Sequence, residues 1–389
     1  MKTQLLSLSL LLGTTITMPA HAQLSFNSLG DLPGGTTFSF AYDVSADGSV
    51  VVGQSGSANG DVGNGGEAFR WTQATGMTAL GDLSGGVFLS VAFGVSADGS
   101  VVIGGGHSTS GPEAFRWTSG GGLVGLGDIA GGFFSSEAYG TSADGSTVVG
   151  AGSPASGQEA FRWTQVGGLV SIGDFSGGVN EATAWRTSGD GSVIVGSGNS
   201  SNGREAFRWT QAGGMVGLGD FSGGSFDSFA RGVSSDGSIV VGYGNSSNGR
   251  EAFYWTQAGG MIALGDLAGG GFDSLARGIS GDGSIVVGNG TTASGSEAFL
   301  WTQAGGMQNL KSFLIAGGVT GLSNWTLTTA NAISTDGTTV VGHGINPSGN
   351  TEAWRATISL ASTSAPEPGT LSLLALGACA VIVRRRKAA

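Results

Sequence analysis

The chain has 389 residues, of which 77 are glycine and 11% are charged, and its formal net charge is −11. Without Lys2, Glu367 and the four basic residues at 384–387, 11 basic and 26 acidic residues remain, a net charge of −15 (11 − 26). So acidic a surface repels phosphate backbones, which excludes nucleic acid as a partner. The single cysteine, Cys379, excludes an internal disulfide and a cysteine-based metal site.

Residues 1–22 have the three parts of a secretory signal. Lys2 gives the positive start, Leu5 to Met18 is mostly apolar, and Ala20-His21-Ala22 is a small-x-small cleavage site. We therefore expect export and a mature chain that begins at Gln23. A buried N-terminal helix is the alternative.

Residues 23–360 contain seven copies of one repeated unit. Each copy ends in a tryptophan, and the seventh, Trp354, follows after a longer step. A constant period of this length predicts a repeat architecture. The six tryptophans that are each 46 residues apart are Trp71, Trp117, Trp163, Trp209, Trp255 and Trp301.

Within each copy, short strand patterns alternate with turn signals. In the fifth copy "SIVVG" is a β-branched run, and "EAFYW" alternates so that Glu251, Phe253 and Trp255 share one face. An Asp-Gly pair, typical of a tight hairpin, occurs in all seven copies. Four short antiparallel strands per unit predict an all-β fold, a seven-bladed β-propeller. A β-solenoid is the alternative, which explains the period but not the hairpins.

The two ends of the repeat region are out of phase with the units. The mature chain opens with the strand "LSFNSLGDL" and the last copy finishes with "TEAWRATIS", so the last sheet lacks its fourth strand. Pairing residues 24–32 with residues 351–358 would close the ring and remove two open sheet edges. We also expect the Phe and Trp of each "EAFRW" strand to pack between neighbouring sheets.

Several polar residues recur in every copy and are predicted to be structural. Seven symmetric carboxylates, at Glu67 and its counterparts, do not make one acid–base pair, so we expect them to bind neighbouring backbone or arginine. The Asp of each Asp-Gly pair is expected to cap its own turn. His107 and His343 are expected at the surface, in turns after "VVG" strands, because two histidines alone are a weak metal signal. No catalytic residue, metal or cofactor is predicted.

Two tryptophans, Trp185 and Trp325, lie outside the regular position. An exposed tryptophan on the rim of a propeller suits stacking on a sugar ring, so both are candidate ligand contacts. Extra packing between blades is the alternative reading of both residues.

The C-terminus has a three-part order. Residues 361–370 form a linker with a Pro-Glu-Pro motif, and residues 371–389 hold a predicted transmembrane segment and a basic tail. The order, "PEPGTLSLLALGACAVIVRRRKAA", resembles the PEP-CTERM sorting signal of Gram-negative bacteria. The resemblance implies recognition by an exosortase-type membrane protease, transient anchoring, and placement at the cell surface or outside the cell. A plain tail anchor is the alternative. The residues of the motif are Pro366, Glu367, Pro368, Arg384, Arg385 and Arg386.

The repeats also have a family resemblance. The segments "GEAFRWTQATGMTALGDLSGG" and "AFGVSADGSVVIGG" resemble the extracellular HAF repeat family, although Glu replaces the family's His in all seven copies. This resemblance implies an exported repeat protein and adds no activity. With the sorting signal, it predicts a binding or structural protein associated with exopolysaccharide. The alternatives are a propeller hydrolase or lyase acting on extracellular polysaccharide, and a passive scaffold without a ligand.

Overall fold

The computed structural model describes residues 24–60 and 65–358, and nearly all of their regular structure is β-strand. The first strand, β1 (Ser25–Gly30), is separated from the blade that follows it along the chain. Blade 1 consists of β2 (Ser39–Val44), β3 (Val50–Ser55), β4 (Glu67–Thr72) and β5 (Gly76–Ala79). Blade 2 consists of β6 (Val91–Val95), β7 (Val101–Ser108), β8 (Gly111–Thr118) and β9 (Gly122–Gly125). Blade 3 consists of β10 (Ser136–Thr141), β11 (Thr147–Gly152), β12 (Gly157–Thr164) and β13 (Gly168–Gly173), with the short β14 (Asn180–Glu181) beside β12.

The remaining blades repeat this arrangement. Blade 4 consists of β15 (Thr183–Thr187), β16 (Val193–Ser200), β17 (Gly203–Thr210) and β18 (Gly214–Gly217). Blade 5 consists of β19 (Phe229–Val233), β20 (Ile239–Ser246), β21 (Gly249–Thr256) and β22 (Gly260–Ala263). Blade 6 consists of β23 (Ser274–Ile279), β24 (Ile285–Thr292), β25 (Gly295–Thr302) and β26 (Gly306–Asn309). A helix, α1 (Leu310–Ala316), then leads to β27 (Thr326–Ile333), β28 (Thr339–Ile345) and β29 (Thr351–Thr357).

The seventh blade is completed by the first strand of the chain. Its order is β1-β29-β28-β27, and β1 pairs antiparallel with β29 so that Phe26 lies opposite Ala356 and Ser28 opposite Trp354. The first strand of each blade contacts that of the next, and β27 returns to β2. The predicted seven-bladed propeller and its closure are therefore confirmed. The solenoid alternative is wrong, because the strands form separate antiparallel sheets arranged in a ring.

The Asp-Gly hairpins join the first two strands of each blade. In blade 1 the Asp47 carboxylate accepts hydrogen bonds from the Ser45 hydroxyl (2.8 Å) and the Ser49 amide (2.9 Å). Gly48 has a φ of 72°, a left-handed conformation that glycine adopts without strain. The same bonds in blade 2 hold the pKa of Asp98 down to about 2. The aspartates are turn caps, as their spacing predicts.

Next to these hairpins, backbone amides form a closed circle across the blades. Seven hydrogen bonds of 2.8–3.1 Å connect each blade to the next, and the bond from the Asp336 amide to the Ala46 carbonyl closes the circle. We call this circle the hairpin ring. Because the bonds involve only backbone atoms, the circle tolerates different side chains. Its residues are Ala46, Ala97, Ala143, Gly189, Ser235, Gly281, Thr335 and Asp336, the last two both in blade 7.

The core is divided into interfaces between neighbouring blades. Phe69 and Trp71 of blade 1 pack with Val341 and Ala353 of blade 7, and the equivalent cluster recurs between other blades. The phenylalanine of the third strand is fully buried in blades 1 to 6. In blade 7, Trp354 occupies the same position and is also fully buried. The following tryptophan is 8% exposed in blades 1 and 4 and half-buried in blades 2, 3, 5 and 6. These rings therefore pack between sheets as predicted.

The sequence "LGD" recurs near the end of the outer strands, as Leu80-Gly81-Asp82 in the first copy. In blades 1, 2, 4 and 5 the outer strand ends before this segment. Glu67 instead accepts a hydrogen bond from the amide of Gly81, the glycine of the segment, at 3.1 Å. Asp82 accepts from the Leu89 amide at 2.8 Å and so holds the loop that leads to the next blade. The expected role of the repeated glutamates as partners of neighbouring backbone is observed here and at Glu113, Glu205 and Glu352.

Candidate functional site

Every innermost strand carries a β-bulge at the same place. In blade 1, Ala41 lies opposite Gly53 and Asp43 opposite Val52, so Tyr42 has no partner in the ladder. The register shifts in the same way in the other six blades. A bulge bends the strand and redirects the side chain of the extra residue. We call the seven bulged residues the channel ring: Tyr42, Phe93, Tyr139, Trp185, Arg231, Arg277 and Asn331.

The channel ring lines one cavity, of about 170 Å³, and all seven residues are half-buried. Its first four members are aromatic and touch one another in sequence. The ring centroids are 5.4 Å apart between Tyr42 and Phe93, 5.3 Å between Phe93 and Tyr139, and 4.5 Å between Tyr139 and Trp185. Blades 1 to 4 therefore present a continuous aromatic wall, which we call the aromatic arc.

The next two members are cationic. The guanidinium of Arg231 lies over the Trp185 ring, 3.7 Å from its centroid, which is the geometry of a cation–π contact. The Arg277 Nε donates to Asn289 Oδ1 at 2.8 Å. Burial and the nearby charge of Arg231 lower the pKa of Arg277 to about 10. Asn331 completes the ring by donating to the Ala41 carbonyl of blade 1 at 2.8 Å.

A second cavity, of about 220 Å³, lies between the channel ring and the hairpin ring. Arg186 and Asp43 line it, and each follows a channel ring residue along the chain. Arg186 donates to the backbone carbonyl of Tyr139, and Asp43 Oδ2 accepts from the Val95 amide at 3.0 Å. Burial raises the pKa of Asp43 despite the nearby Arg186. The two cavities together expose three arginines and one carboxylate.

His343 differs from its prediction. It lies inside β28, which runs on to Ile345, and not in a turn at the surface. Its ring is 4.8 Å from that of Phe40, and its Nδ1 is 3.2 Å from the Asn331 side-chain nitrogen. Burial and Arg277 lower its pKa to about 4, so the imidazole is neutral at pH 7. The predicted surface position is wrong because β28 extends beyond its β-branched residues and includes His343.

His107 likewise lies inside a strand, β7, on a different blade. Its backbone amide donates to Asp82 Oδ1 at 3.3 Å. Among residues 24–60 and 65–358, no group of three or more His, Cys, Asp or Glu side chains is placed to hold a metal ion.

The two candidate tryptophans have different locations. Trp185 is a member of the channel ring, at the junction of aromatic arc and arginines, so a contact with ligand stays a prediction for it. Trp325 is 7% exposed and packs against Phe26 at 5.2 Å and Leu314 of α1. Lys311 of α1 donates to its carbonyl at 2.6 Å. For Trp325 the expectation of an exposed rim residue is therefore wrong, because the helix covers it.

Sequence reasoning found one channel ring residue and missed six. The signal is present in the repeats, directly after a fully buried alanine. The seven copies read "AYDVS", "AFGVS", "AYGTS", "AWRTS", "ARGVS", "ARGIS" and "ANAIS". The second position varies among aromatic, basic and amide residues, whereas the alanine before it and the serine three residues after it are the same in all seven copies. Such a position in near-identical repeats indicates a role other than packing.

Residues 364–387 match the family described as the PEP-CTERM protein-sorting motif. The chain therefore carries the sorting signal of exported proteins that an exosortase recognises. This motif, the predicted signal peptide at 1–22 and the predicted transmembrane segment at 371–389 lie outside the described residues. No helix within 24–60 and 65–358 has the length and apolar character needed to cross a bilayer.

No curated protein matches the sequence. Among solved structures, TolB from Acinetobacter baumannii is similar, with 15% identity and a TM-score of 0.45 over 70% of this chain and 63% of that chain. A putative TolB from Agrobacterium tumefaciens has 16% identity and a TM-score of 0.42 over 82% of this chain and 91% of that chain. An oligogalacturonate lyase from Vibrio parahaemolyticus has 12% identity and a TM-score of 0.48 over 86% of this chain and 97% of that chain. These similarities concern the fold alone.

Proposed function

We propose that this protein is a non-enzymatic binding protein of the HAF repeat type, displayed at the cell surface or in the extracellular matrix. Its ligand is extracellular polysaccharide, and its binding site is the channel ring. An exosortase-type protease is the partner that releases or attaches it. The aromatic arc is the observation that carries this proposal.

Four adjoining aromatic side chains on a concave wall form a surface suited to sugar rings. Tyrosine and tryptophan combine an apolar face with a polar edge, and a sugar ring has the same two characters. The packing of the fold does not need this surface, because the blade interfaces are filled by other rings. The cavity of about 170 Å³ is smaller than the ~300–1,000 Å³ of drug-sized sites. A single sugar residue of the polymer would therefore enter it.

The composition of the channel ring also favours binding over hydrolysis. A glycosidase needs two carboxyl groups on either side of one glycosidic bond. None of the seven channel ring residues is acidic, and Asp43 is the one carboxylate of the described residues that lines the two cavities. Three of the repeated glutamates, Glu67, Glu113 and Glu205, accept hydrogen bonds from backbone amides of their own blades.

A glycan array with the exported protein tests the proposal, using Trp185→Ala and Phe133→Ala as a matched pair. We expect the wild type to retain a subset of extracellular glycans without cleaving them. Trp185→Ala should weaken that binding about tenfold, the loss expected for one stacked ring. Phe133, which is 90% exposed in a loop, lies outside the channel, so Phe133→Ala should bind as the wild type does.

Three results would contradict the proposal. Equal binding by Trp185→Ala would place the site elsewhere on the propeller. Cleavage of a bound glycan would favour the hydrolase or lyase. A wild-type protein that binds none of the glycans would favour a passive scaffold.

A further inference from the structure

Positive charge is concentrated in the channel of an otherwise acidic protein. The chain has a formal net charge of −11. The two cavities nevertheless expose Arg186, Arg231 and Arg277, and Asp43 is the one carboxylate that the described part of the chain contributes to their walls. An anion in the channel would thus meet a local excess of positive charge.

Among residues 24–60 and 65–358, these arginines have no carboxylate partner within salt-bridge distance. The two salt bridges of the described chain lie at the exposed pairs Arg204–Glu181 and Arg250–Asp273. Arg186 is bound to backbone carbonyls. The Nε of Arg231 is buried and has no hydrogen-bond partner in the described chain. An unpaired donor on a buried charged group costs free energy, so a further acceptor that reaches the Arg231 guanidinium would be favoured.

Arg231 and Arg277 are also neighbours with like charge. They occupy the same bulged position on successive blades, and the charge of Arg231 contributes to the lowered pKa of Arg277. An anion between them would remove this repulsion and accept charge-assisted hydrogen bonds from both guanidinium groups. Neither arginine forms an ion pair with an acidic side chain of the described residues.

The position of the pair relative to the aromatic arc selects the class of anion. Because Arg231 lies over Trp185, a ligand that contacts the arginines also reaches the end of the aromatic arc. A free inorganic anion would use only the charges and leave the arc empty. An acidic sugar uses both, since its ring offers a face for stacking and its acid group offers oxygen acceptors.

We propose that the channel ring binds an acidic sugar residue, with its ring against the aromatic arc and its carboxylate or sulfate ester between Arg231 and Arg277. This inference rests on the proposed function and names the chemistry of the ligand. A carboxylate offers two coplanar acceptor oxygens and a sulfate ester three tetrahedral ones; a guanidinium binds either group, and the experiment distinguishes them.

Isothermal titration of the exported protein tests the inference with three oligosaccharides of one backbone. The first carries uronate carboxylates, the second is its carboxyl-reduced neutral form, and the third is that neutral form bearing sulfate esters. We expect one of the two acidic forms to bind at least tenfold more tightly than the neutral form. Its affinity should also fall as salt is raised from 50 to 200 mM.

Variants assign the effect to the channel. Arg231→Gln should weaken binding of the preferred acidic form at least tenfold and change binding of the neutral form less than twofold. Arg231→Lys keeps the charge and loses the planar array of donors, so it should have an intermediate affinity. Arg250→Gln removes an exposed arginine of a surface salt bridge and should bind as the wild type does. Thermal unfolding of each variant shows that it is folded.

The outcomes separate this inference from the proposed function. Equal affinity for acidic and neutral forms overturns the inference and leaves polysaccharide binding intact. Wild-type affinity of a folded Arg231→Gln, or of Arg231→Lys if the first variant does not fold, also overturns it. Inorganic sulfate that binds as tightly as the acidic sugar reduces the site to a simple anion site. Failure of all three oligosaccharides to bind contradicts both proposals.

Discussion

The blade interfaces and the channel ring lie on the same strands and yet differ in how they vary. The alanine before each channel ring residue is fully or almost fully buried in all seven blades, and the phenylalanine of the third strand is replaced once, by Trp354. The channel ring has five residue types in seven positions. Identical packing requirements preserve the repeat, and the sequence varies where the side chain leaves the packed interface.

The bulge explains how a conserved packing residue and a variable channel residue can be adjacent in the chain. The alanine remains in the ladder and faces the neighbouring sheet, while the bulged residue is unpaired and turns to the channel. A change in the second residue therefore costs little packing energy. The channel ring is free to hold aromatic side chains on one side and arginines on the other.

The largest effect is expected from breaking an interface. Trp209 is 8% exposed and packs with Val149 and Ala160 of the preceding blade. Trp209→Ala should lower the free energy of unfolding by about 3–5 kcal/mol, because the removed ring leaves a cavity. The channel ring variant Trp185→Ala should lose no more than about 1.5 kcal/mol, the value of an aromatic contact. Equal losses in urea unfolding would contradict the distinction between the two regions.

A smaller effect is expected at the glycine that pairs beside the bulge. A Cβ added to Gly150 would lie 1.9 Å from the Glu137 carbonyl oxygen and 2.7 Å from the Phe161 ring. Gly150→Ala should therefore destabilise the protein by about 1–3 kcal/mol, because backbone and a buried ring must move. Gly120 is exposed with no atom near its Cβ position, so Gly120→Ala should change stability by less than about 0.5 kcal/mol. Similar melting temperatures for both variants would be inconsistent with this account.

The smallest effect concerns pH and His343 behind the channel ring. Its pKa is about 4 in the folded protein and 6.5 ordinarily, so the unfolded chain takes up the proton first as the pH falls. The contribution of neutral His343 to the free energy of unfolding is fully present above about pH 6.5 and is lost as the pH falls towards 4. Between pH 7 and 5.5 the free energy of unfolding should therefore fall by about 1 kcal/mol. His343→Gln keeps an acceptor for Asn331 and should lack this loss. Urea midpoints at both pH values measure it, and an equal loss in the variant would show that other groups cause it.

Much of the fold could be predicted because each repeat contains its own turn and strand signals. The Asp-Gly pairs, the 46-residue period and the missing fourth strand predict blades, their number and the pairing of β1 with β29. Helix α1 and the burial of Trp325 beneath it could not be predicted from the repeat. They arise in the connection between blades 6 and 7, which is longer than the other connections between successive blades, so no second copy confirms a pattern there.

The amino-acid sequence alone determined the class of fold, the closure of the ring by the first strand and the presence of the sorting signal. Hairpin residues, strand alternation and a terminal sorting signal each act over a short stretch of chain. Only the tertiary structure decided which side chains share the channel. Residues 42 and 331 are far apart in the chain and become neighbours when the ring closes, and a bulge that no single strand pattern reveals turns each one inward. The arginine pair and the aromatic arc are therefore products of closure, since each blade contributes one side chain to them.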